Sequence, residues 1–162
     1  LGTPMELYRW PSNLFVAQFI GSPPMALLPV TVAPAATLLL EDRRLPVEGP
    51  MAEALPALEG QVLTAGLRPE GWRVAPSTNR NLPAEIRHVE VLGNEQLITC
   101  QLLHGGHLVT VRTEADLAVI MGGRLHLDPD PQGWRLFDAE GDAICPPEPA
   151  RSSPEEPQLP RL

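Results

Sequence analysis

The sequence predicts a mainly β fold, a small closed or nearly closed barrel that two short helices precede. Its 162 residues include 20 prolines and 13 glycines, which favour short strands and turns over long helices. Ile98, Cys100 and Leu102 alternate with polar neighbours, and this period of two places one face of a strand in a core. An apolar run that stops at Gly93-Asn94 and resumes beyond it is typical of a β-hairpin.

Two short helices are predicted at the start of the chain. Thr3 can cap the first helix and Pro4 suits its first position, while Pro11 ends it. Ser12 is predicted to cap the second helix, which Gly21 and the prolines after it end. The helices carry more apolar side chains than they can bury against each other. We therefore expect a further surface to cover Leu7, Leu14, Phe15, Phe19 and Ile20.

Beyond residue 25 the chain is predicted as strands and loops. The predicted strands cover residues 26–32, 37–41, 61–67, 86–92, 98–102 and 108–112, with two last strands at 125–127 and 136–137. Three segments are predicted to be other than regular strand. They are residues 45–58, a loop with at most a short strand at 45–47, residues 72–83, a polar connection, and residues 114–120, one short helical turn.

Composition excludes some classes of function. The formal net charge is −8 and the isoelectric point is near 4.9. All 12 basic residues are arginines and they are scattered along the chain, which argues against a nucleic-acid partner. No segment approaches the roughly 20 apolar residues that a membrane span needs. Residues 146–162 are rich in Pro, Glu and Ser and are predicted to be a disordered tail.

Cysteine and histidine are candidates for metal or redox chemistry. Cys100 and Cys145 are far apart and form either one pair or, as in a cytosolic domain, two reduced thiols. His104 and His107 flank two glycines, with Cys100 upstream, and form either a metal site or an exposed hairpin turn. The turn is favoured because zinc ligands usually have tighter paired spacings.

Charged and aromatic residues are candidates for an interface. Arg68 and Glu70 lie two apart on a predicted strand, where they form either an ion pair that braces the domain or meets another subunit, or a solvated strand end. Glu90 and Glu95 flank the Gly93-Asn94 turn and either face a partner or form a polar hairpin tip. The three tryptophans are either interface anchors or partly buried residues of the core or its rim; they are Trp10, Trp72 and Trp134.

Several motifs carry a resemblance to a known family. The opening stretch contains Thr3-Pro4, Glu6-Leu7-Tyr8, Pro11, Asn13, Phe15-Val16-Ala17, Phe19-Ile20-Gly21-Ser22-Pro23 and Met25. Further on stand Gly66-Leu67-Arg68-Pro69-Glu70, the segment from Val89 to Glu95, and Leu136-Phe137-Asp138 with Gly141. In these motifs the chain resembles the ATP-binding subunits of ABC importers for maltose and glycerol-3-phosphate. Gly71 departs from that pattern, because the family usually has His or Asp after Arg-Pro-Glu.

The resemblance implies a fold and a division into parts. It implies two interleaved OB-type barrels of the transport-associated type, which form a regulatory domain. Residues 1–22 would be the helical end of a nucleotide-binding domain, residues 23–145 the OB-like domain, and residues 146–162 the tail. The candidate regulatory or interface residues are Arg68, Glu70, Glu90, Gly93, Asn94, Glu95 and Phe137.

The resemblance also implies a function. The domain would clasp a second copy so that the ATPase halves open and close without parting, and would receive regulatory signals. The implied partners are its own nucleotide-binding domain, the transmembrane permease subunits and a regulatory protein, at the cytoplasmic face of the membrane. The chain contains no Lys and hence no phosphate-binding G-x-x-x-x-G-K-[ST] loop. We therefore expect no enzyme activity and no cofactor in this chain, and ATP with Mg only in the parent protein.

Two other functions remain open at this point. The alternative is a small-ligand module for an anion or a sugar, as in related barrel domains, although scattered arginines do not indicate a cluster of donors. A stand-alone oligonucleotide or oligosaccharide binder is the third, and the acidic charge and the 4% aromatic content argue against its nucleic-acid form. The barrel fold alone does not decide among them.

Overall fold

Two antiparallel sheets and three short helices are the main elements of residues 3–144, the part of the chain that the computed structural model describes. The helices that open the chain are α1 (Pro4–Arg9) and α2 (Leu14–Phe19), and a third, α3 (Pro50–Ala54), runs into a 3-10 turn at Leu55–Leu58. The strands are β1 (Ala26–Ala33), β2 (Thr37–Leu40), β3 (Arg43–Pro46), β4 (Val62–Leu67), β5 (Trp72–Val74), β6 (Leu82–Leu92), β7 (Glu95–Leu102), β8 (Leu108–Glu114), β9 (Arg124–Pro129), β10 (Arg135–Phe137) and β11 (Ala143–Ile144).

The two sheets close on each other as a nearly complete barrel. The first has the order β11-β10-β4-β1-β2-β3 and the second the order β5-β9-β6-β7-β8. One buried apolar cluster includes side chains of both sheets, so they share a single core. At its centre the rings of Trp72 and Trp134 meet edge to face, with centroids 6.2 Å apart. The predicted mainly β, OB-like barrel is confirmed.

Alternation and turn residues explain the best-defined part of the second sheet. Along β7 the residues from Gln96 to Leu102 alternate between buried and half-buried, as the period of two requires. The hairpin to β6 turns at Gly93, whose φ of 65° lies in the region that favours glycine. Gly105 and Gly106 also have positive φ, and they turn the chain between β7 and β8. Both hairpins were expected from the sequence.

Four local predictions are wrong. Residues 50–58 are helical rather than loop, because Pro50 and Pro56 occupy first-turn positions, where no amide is needed. Residues 72–74 form β5, whose pairing with β9 lies too far along the chain to show in local composition. Residues 114–120 contain no helix. The cap of α2 is Asn13 instead of Ser12, because the Asn13 side-chain oxygen accepts a hydrogen bond from the Val16 amide at 2.9 Å.

Some predictions are not tested by the structure. Cys145 and the predicted disordered tail at 146–162 lie outside the described residues. The division between residues 22 and 23 stays a prediction. Among residues 3–144, no helix has both the length and the apolar character that crossing a membrane would require.

Cys100 should be almost inert in the native protein. Its side chain is fully buried and burial raises the pKa of the thiol to about 11. At about pH 8 only about one thiol in a thousand would be the reactive thiolate. In a Cys145→Ser background we expect iodoacetamide to modify Cys100 only after denaturation, as mass spectrometry can show. Rapid alkylation of the folded chain would contradict this burial.

Candidate functional site at the helix–barrel junction

A buried arginine of the barrel holds both opening helices. Arg68 follows β4 and is only 7% exposed. Its Nη1 donates to the carbonyl oxygen of Ile20 at 2.5 Å and its Nη2 to that of Tyr8 at 2.9 Å. These carbonyls lie at the ends of α2 and α1, where helices leave acceptors without internal partners. One guanidinium therefore joins the ends of both helices to the barrel.

Tyr8 packs on that guanidinium and continues the network. Its ring lies under Arg68, with the guanidinium carbon 4.1 Å from the ring centroid. Its hydroxyl donates to Glu70 Oε1 at 2.6 Å. Burial, followed by the hydrogen bond to Glu70, raises the pKa of Tyr8, so the phenol keeps its proton. Arg68, Tyr8 and Glu70 form one connected group across the junction.

A second arginine repeats this arrangement nearby. Arg135 at the start of β10 donates through Nε to the carbonyl oxygen of Arg9 at 2.6 Å. Its guanidinium carbon lies 3.9 Å from the ring centroid of Trp10. Burial, followed by the positive charge of Arg68, lowers the pKa of Arg135. The end of α1 is thus held by two arginines of the barrel.

Backbone pairing and a small apolar cluster hold α2. Asn13 forms a β-bridge with Asp142, and the Leu14 amide donates to the Gly141 carbonyl at 2.9 Å. Ala17, Met25 and Phe137 form a buried cluster beside the main core. The helix pair therefore packs directly against the folded barrel.

Capping explains why such a short α1 forms. Thr3 and Glu6 make a capping box, with the Glu6 amide donating to Thr3 Oγ1 at 3.3 Å and the Thr3 amide to Glu6 Oε2 at 2.8 Å. These hydrogen bonds, the one from the Thr3 backbone first, lower the pKa of Glu6. The cap predicted at Thr3 and the helical start at Pro4 are as expected.

Arg68 and Glu70 meet at this junction in a different way from the prediction. Within residues 3–144 they make no ion pair with each other, and Glu70 lies in a 3-10 turn at Pro69–Gly71 rather than on a strand. Pro69 accounts for this because its fixed φ suits the first position of such a turn. Glu70 instead accepts a hydrogen bond from the Tyr8 hydroxyl, and Arg68 binds the carbonyls at the helix ends, which no spacing in the sequence indicated.

The apolar residues of the helix pair divide into two groups. Phe15 and Phe19 are 66% and 70% exposed, and their rings stack with centroids 4.4 Å apart. Leu14 packs against the cluster of Ala17, Met25 and Phe137, while Leu7 and Ile20 are half-buried. The expected uncovered surface therefore consists mainly of the two phenylalanines.

The other candidates lie apart from the junction. Glu90, Gly93, Asn94 and Glu95 are exposed at the tip of the β6–β7 hairpin, where Glu95 lies 4.0 Å from Arg112. The interface role proposed for them stays a prediction. Phe137 is fully buried, so its side chain offers no surface to a partner protein.

His104 and the three tryptophans differ in how deeply they are buried. His104 is half-buried rather than exposed, and its Nε2 accepts a hydrogen bond from Arg43 Nε at 3.0 Å. No three His, Cys, Asp or Glu side chains within residues 3–144 are grouped as a metal ion would require. Trp72 and Trp134 are core, whereas Trp10 is 50% exposed at the junction. Arg135 and Trp10 are functional candidates that sequence reasoning did not pair, because they stand at opposite ends of the described chain.

Comparison with known proteins finds two family models and a solved structure that match the barrel. Residues 21–71 match the family model described as the MalK OB fold domain, and residues 65–137 match the TOBE domain. A solved structure of the cytoplasmic molybdate-binding protein ModG, with molybdate bound, is similar with a TM-score of 0.56 and 16% identity. It covers 69% of this chain and 94% of that chain, a likeness that concerns the fold alone.

Curated relatives match nearly the whole described chain. The sn-glycerol-3-phosphate import ATP-binding protein UgpC of Yersinia pestis bv. Antiqua is 37% identical over 86% of this chain, and that of Bordetella avium is 35% identical over 80%. The maltose/maltodextrin import ATP-binding protein MalK of Yersinia pestis bv. Antiqua is 35% identical over 88%. The chain spans 38%, 35% and 39% of the length of these three relatives. The two family models overlap at residues 65–71 and together match residues 21–137, so this part of the chain belongs to the MalK-type OB-fold and TOBE domains, and the chain is similar to the import ATP-binding proteins named above.

Proposed function

We propose that the chain is the regulatory and dimerisation part of an ATP-binding subunit that serves an importer of sugars or glycerol-3-phosphate. The observation that carries this proposal is the helix–barrel junction. Arg68 binds the ends of both helices, and Arg135 binds the end of α1. A helix pair held in this way cannot rotate without moving the barrel. The junction is thus suited to pass a movement between an ATPase domain and the barrel.

The exposed pair Phe15 and Phe19 is the proposed contact with the rest of the subunit. Both lie on the outer side of α2, while Ala17 on its inner side is fully buried. Burying each ring would contribute about 1–2 kcal/mol at their observed exposure. In the parent protein these rings would pack on the nucleotide-binding domain, which would bind ATP and Mg. The other proposed partners are a second copy of the subunit, the transmembrane permease subunits and a regulatory protein, at the cytoplasmic face of the membrane.

In isolation the chain should form a symmetric dimer to which residues 4–20 contribute. A second copy is the simplest way to cover the two exposed rings in water. We expect a Phe15→Ser/Phe19→Ser variant to raise the dissociation constant of the dimer at least about ten-fold, measured by analytical ultracentrifugation. Ile120→Ser is the control, since Ile120 is 78% exposed in the segment between β8 and β9 and is not one of the proposed interface residues.

Deleting residues 1–22 shows which part of the chain forms the dimer contact. A dimer that survives deletion of residues 1–22 unchanged would assign the interface to the barrels alone. A chain that is monomeric both with and without these residues would contradict the proposed dimerisation.

A further inference from the structure

A wide groove lies where the edges of the two sheets approach each other. The edge strand β3 of the first sheet forms one side, and β5 with the end of β9 in the second sheet forms the other. The loop at residues 75–81 contributes the third wall through Asn79 and Arg80. The groove is open on one side and has a volume of about 850 Å³, within the range of about 300–1,000 Å³ that small-molecule sites occupy. A site of this size is larger than a single inorganic ion needs.

The groove is positively charged although the chain is acidic. Four arginines line it against two aspartates, in a chain with a net charge of −8. Arg44, Arg73 and Arg80 are exposed, and among residues 3–144 their guanidiniums make neither an ion pair nor a hydrogen bond. The sequence shows these arginines as scattered, and the folding of two sheet edges together brings them to one place. Their donors are free for a ligand.

The remaining arginine holds the groove in shape. Arg43 Nη1 donates to the Asn79 carbonyl oxygen at 2.7 Å, and its Nε donates to His104 Nε2. The loop itself is fixed by Asn81, which is 1% exposed and donates to the Pro76 carbonyl oxygen at 2.7 Å. The Thr78 amide in turn donates to Asn81 Oδ1 at 3.2 Å. A preorganised wall lowers the entropy that a ligand must lose on binding.

We propose that this groove binds a small phosphate ester that also carries hydroxyl groups. Guanidiniums bind phosphate oxygens through paired donors, which suits the unpaired Arg44, Arg73 and Arg80. The carboxylates of Asp42 and Asp128 accept hydrogen bonds from hydroxyls and repel ligands that carry only negative groups. Pro46 and Pro129 offer apolar surface to a carbon skeleton. These features together fit a phosphorylated polyol better than a simple anion or nucleic acid.

Calorimetric titration of the full chain tests the assignment. We expect glucose 6-phosphate to bind, glucose not to bind at millimolar concentration, and citrate to bind at least about ten-fold more weakly than the phosphate ester. Arg73→Gln and Arg80→Gln should each weaken binding of glucose 6-phosphate at least about ten-fold. Arg124→Gln, the same charge change at an exposed position outside the groove, should leave the dissociation constant within about two-fold.

Three results would overturn the proposal. They are the absence of binding by glucose 6-phosphate at millimolar concentration, equal binding of citrate and glucose 6-phosphate, and equal weakening by Arg73→Gln and Arg124→Gln. Thermal unfolding of each variant without ligand shows whether the fold is intact. If a groove variant is unfolded, chemical-shift changes of the residues that line the groove in the unaltered chain decide instead. Such changes support the site, and changes confined to other regions refute it.

Discussion

Trp134→Ala should lower the free energy of unfolding by about 3–5 kcal/mol, the usual loss when a buried tryptophan is truncated to alanine. Trp134 has no exposed surface and stands directly before β10 of the first sheet. Trp72, against which it packs, belongs to β5 of the second sheet. Alanine would leave a cavity at the contact between the sheets, where neither sheet can collapse without losing its pairing. Urea denaturation followed by circular dichroism measures the change.

Two further variants separate packing from surface effects. Trp134→Phe keeps most of the side-chain volume and removes Nε1, which is buried and has no hydrogen-bond partner among residues 3–144. We therefore expect it to lower the free energy of unfolding by less than about 2 kcal/mol. Trp10→Ala removes an equal side chain from a half-exposed site on Arg135 and should cost about 1 kcal/mol. If Trp134→Ala cost no more than Trp10→Ala, the shared core between the sheets would be wrong.

Arg68→Ala should lower the free energy of unfolding by about 2–4 kcal/mol, since two charge-assisted hydrogen bonds and a stacked tyrosine are lost together. The carbonyls of Tyr8 and Ile20 would lose their donor in a half-buried place. Because that donor joins the helix ends to the barrel, we also expect faster hydrogen exchange in α1 and α2. The exchange of β6 and β7 should change little, and mass spectrometry of the exchanged peptides measures both.

Two matched variants test whether the paired N–H donors of the Arg68 guanidinium are needed to hold the helices. Arg68→Lys keeps the charge but cannot reach both carbonyls in one plane, so it should restore only part of the lost stability. Arg112→Ala removes an arginine whose partner Glu95 lies 4.0 Å away at the surface, and should cost less than about 1 kcal/mol. Equal effects of Arg68→Ala and Arg112→Ala would mean that Arg68 does not hold the helices.

The local sequence pattern was enough to predict a strand or a turn wherever that element depends on nearby residues. The alternation at Ile98, Cys100 and Leu102 placed β7, because one face of a half-buried strand must be apolar. Gly93 marked its hairpin, since few other residues adopt the positive φ found there. Thr3 and Pro4 marked the start of α1, where the structure adds a capping box between Thr3 and Glu6. Proline counts, by contrast, misled at residues 50–58, where Pro50 and Pro56 begin helical turns rather than break them.

The sequence by itself determined the mainly β character, the paired helices at the start and the family resemblance, because propensities, capping and motifs are local properties. Only the tertiary structure decided which residues meet. Tyr8 reaches Arg68 and Glu70, and Trp10 reaches Arg135, because backbone pairing of residues 12–14 with residues 141–143 sets α1 beside β4 and β10. The groove arginines converge because β3 and β5 are edges of different sheets that close into one barrel. Such distances follow from strand pairing and sheet closure, which act between segments far apart in the chain.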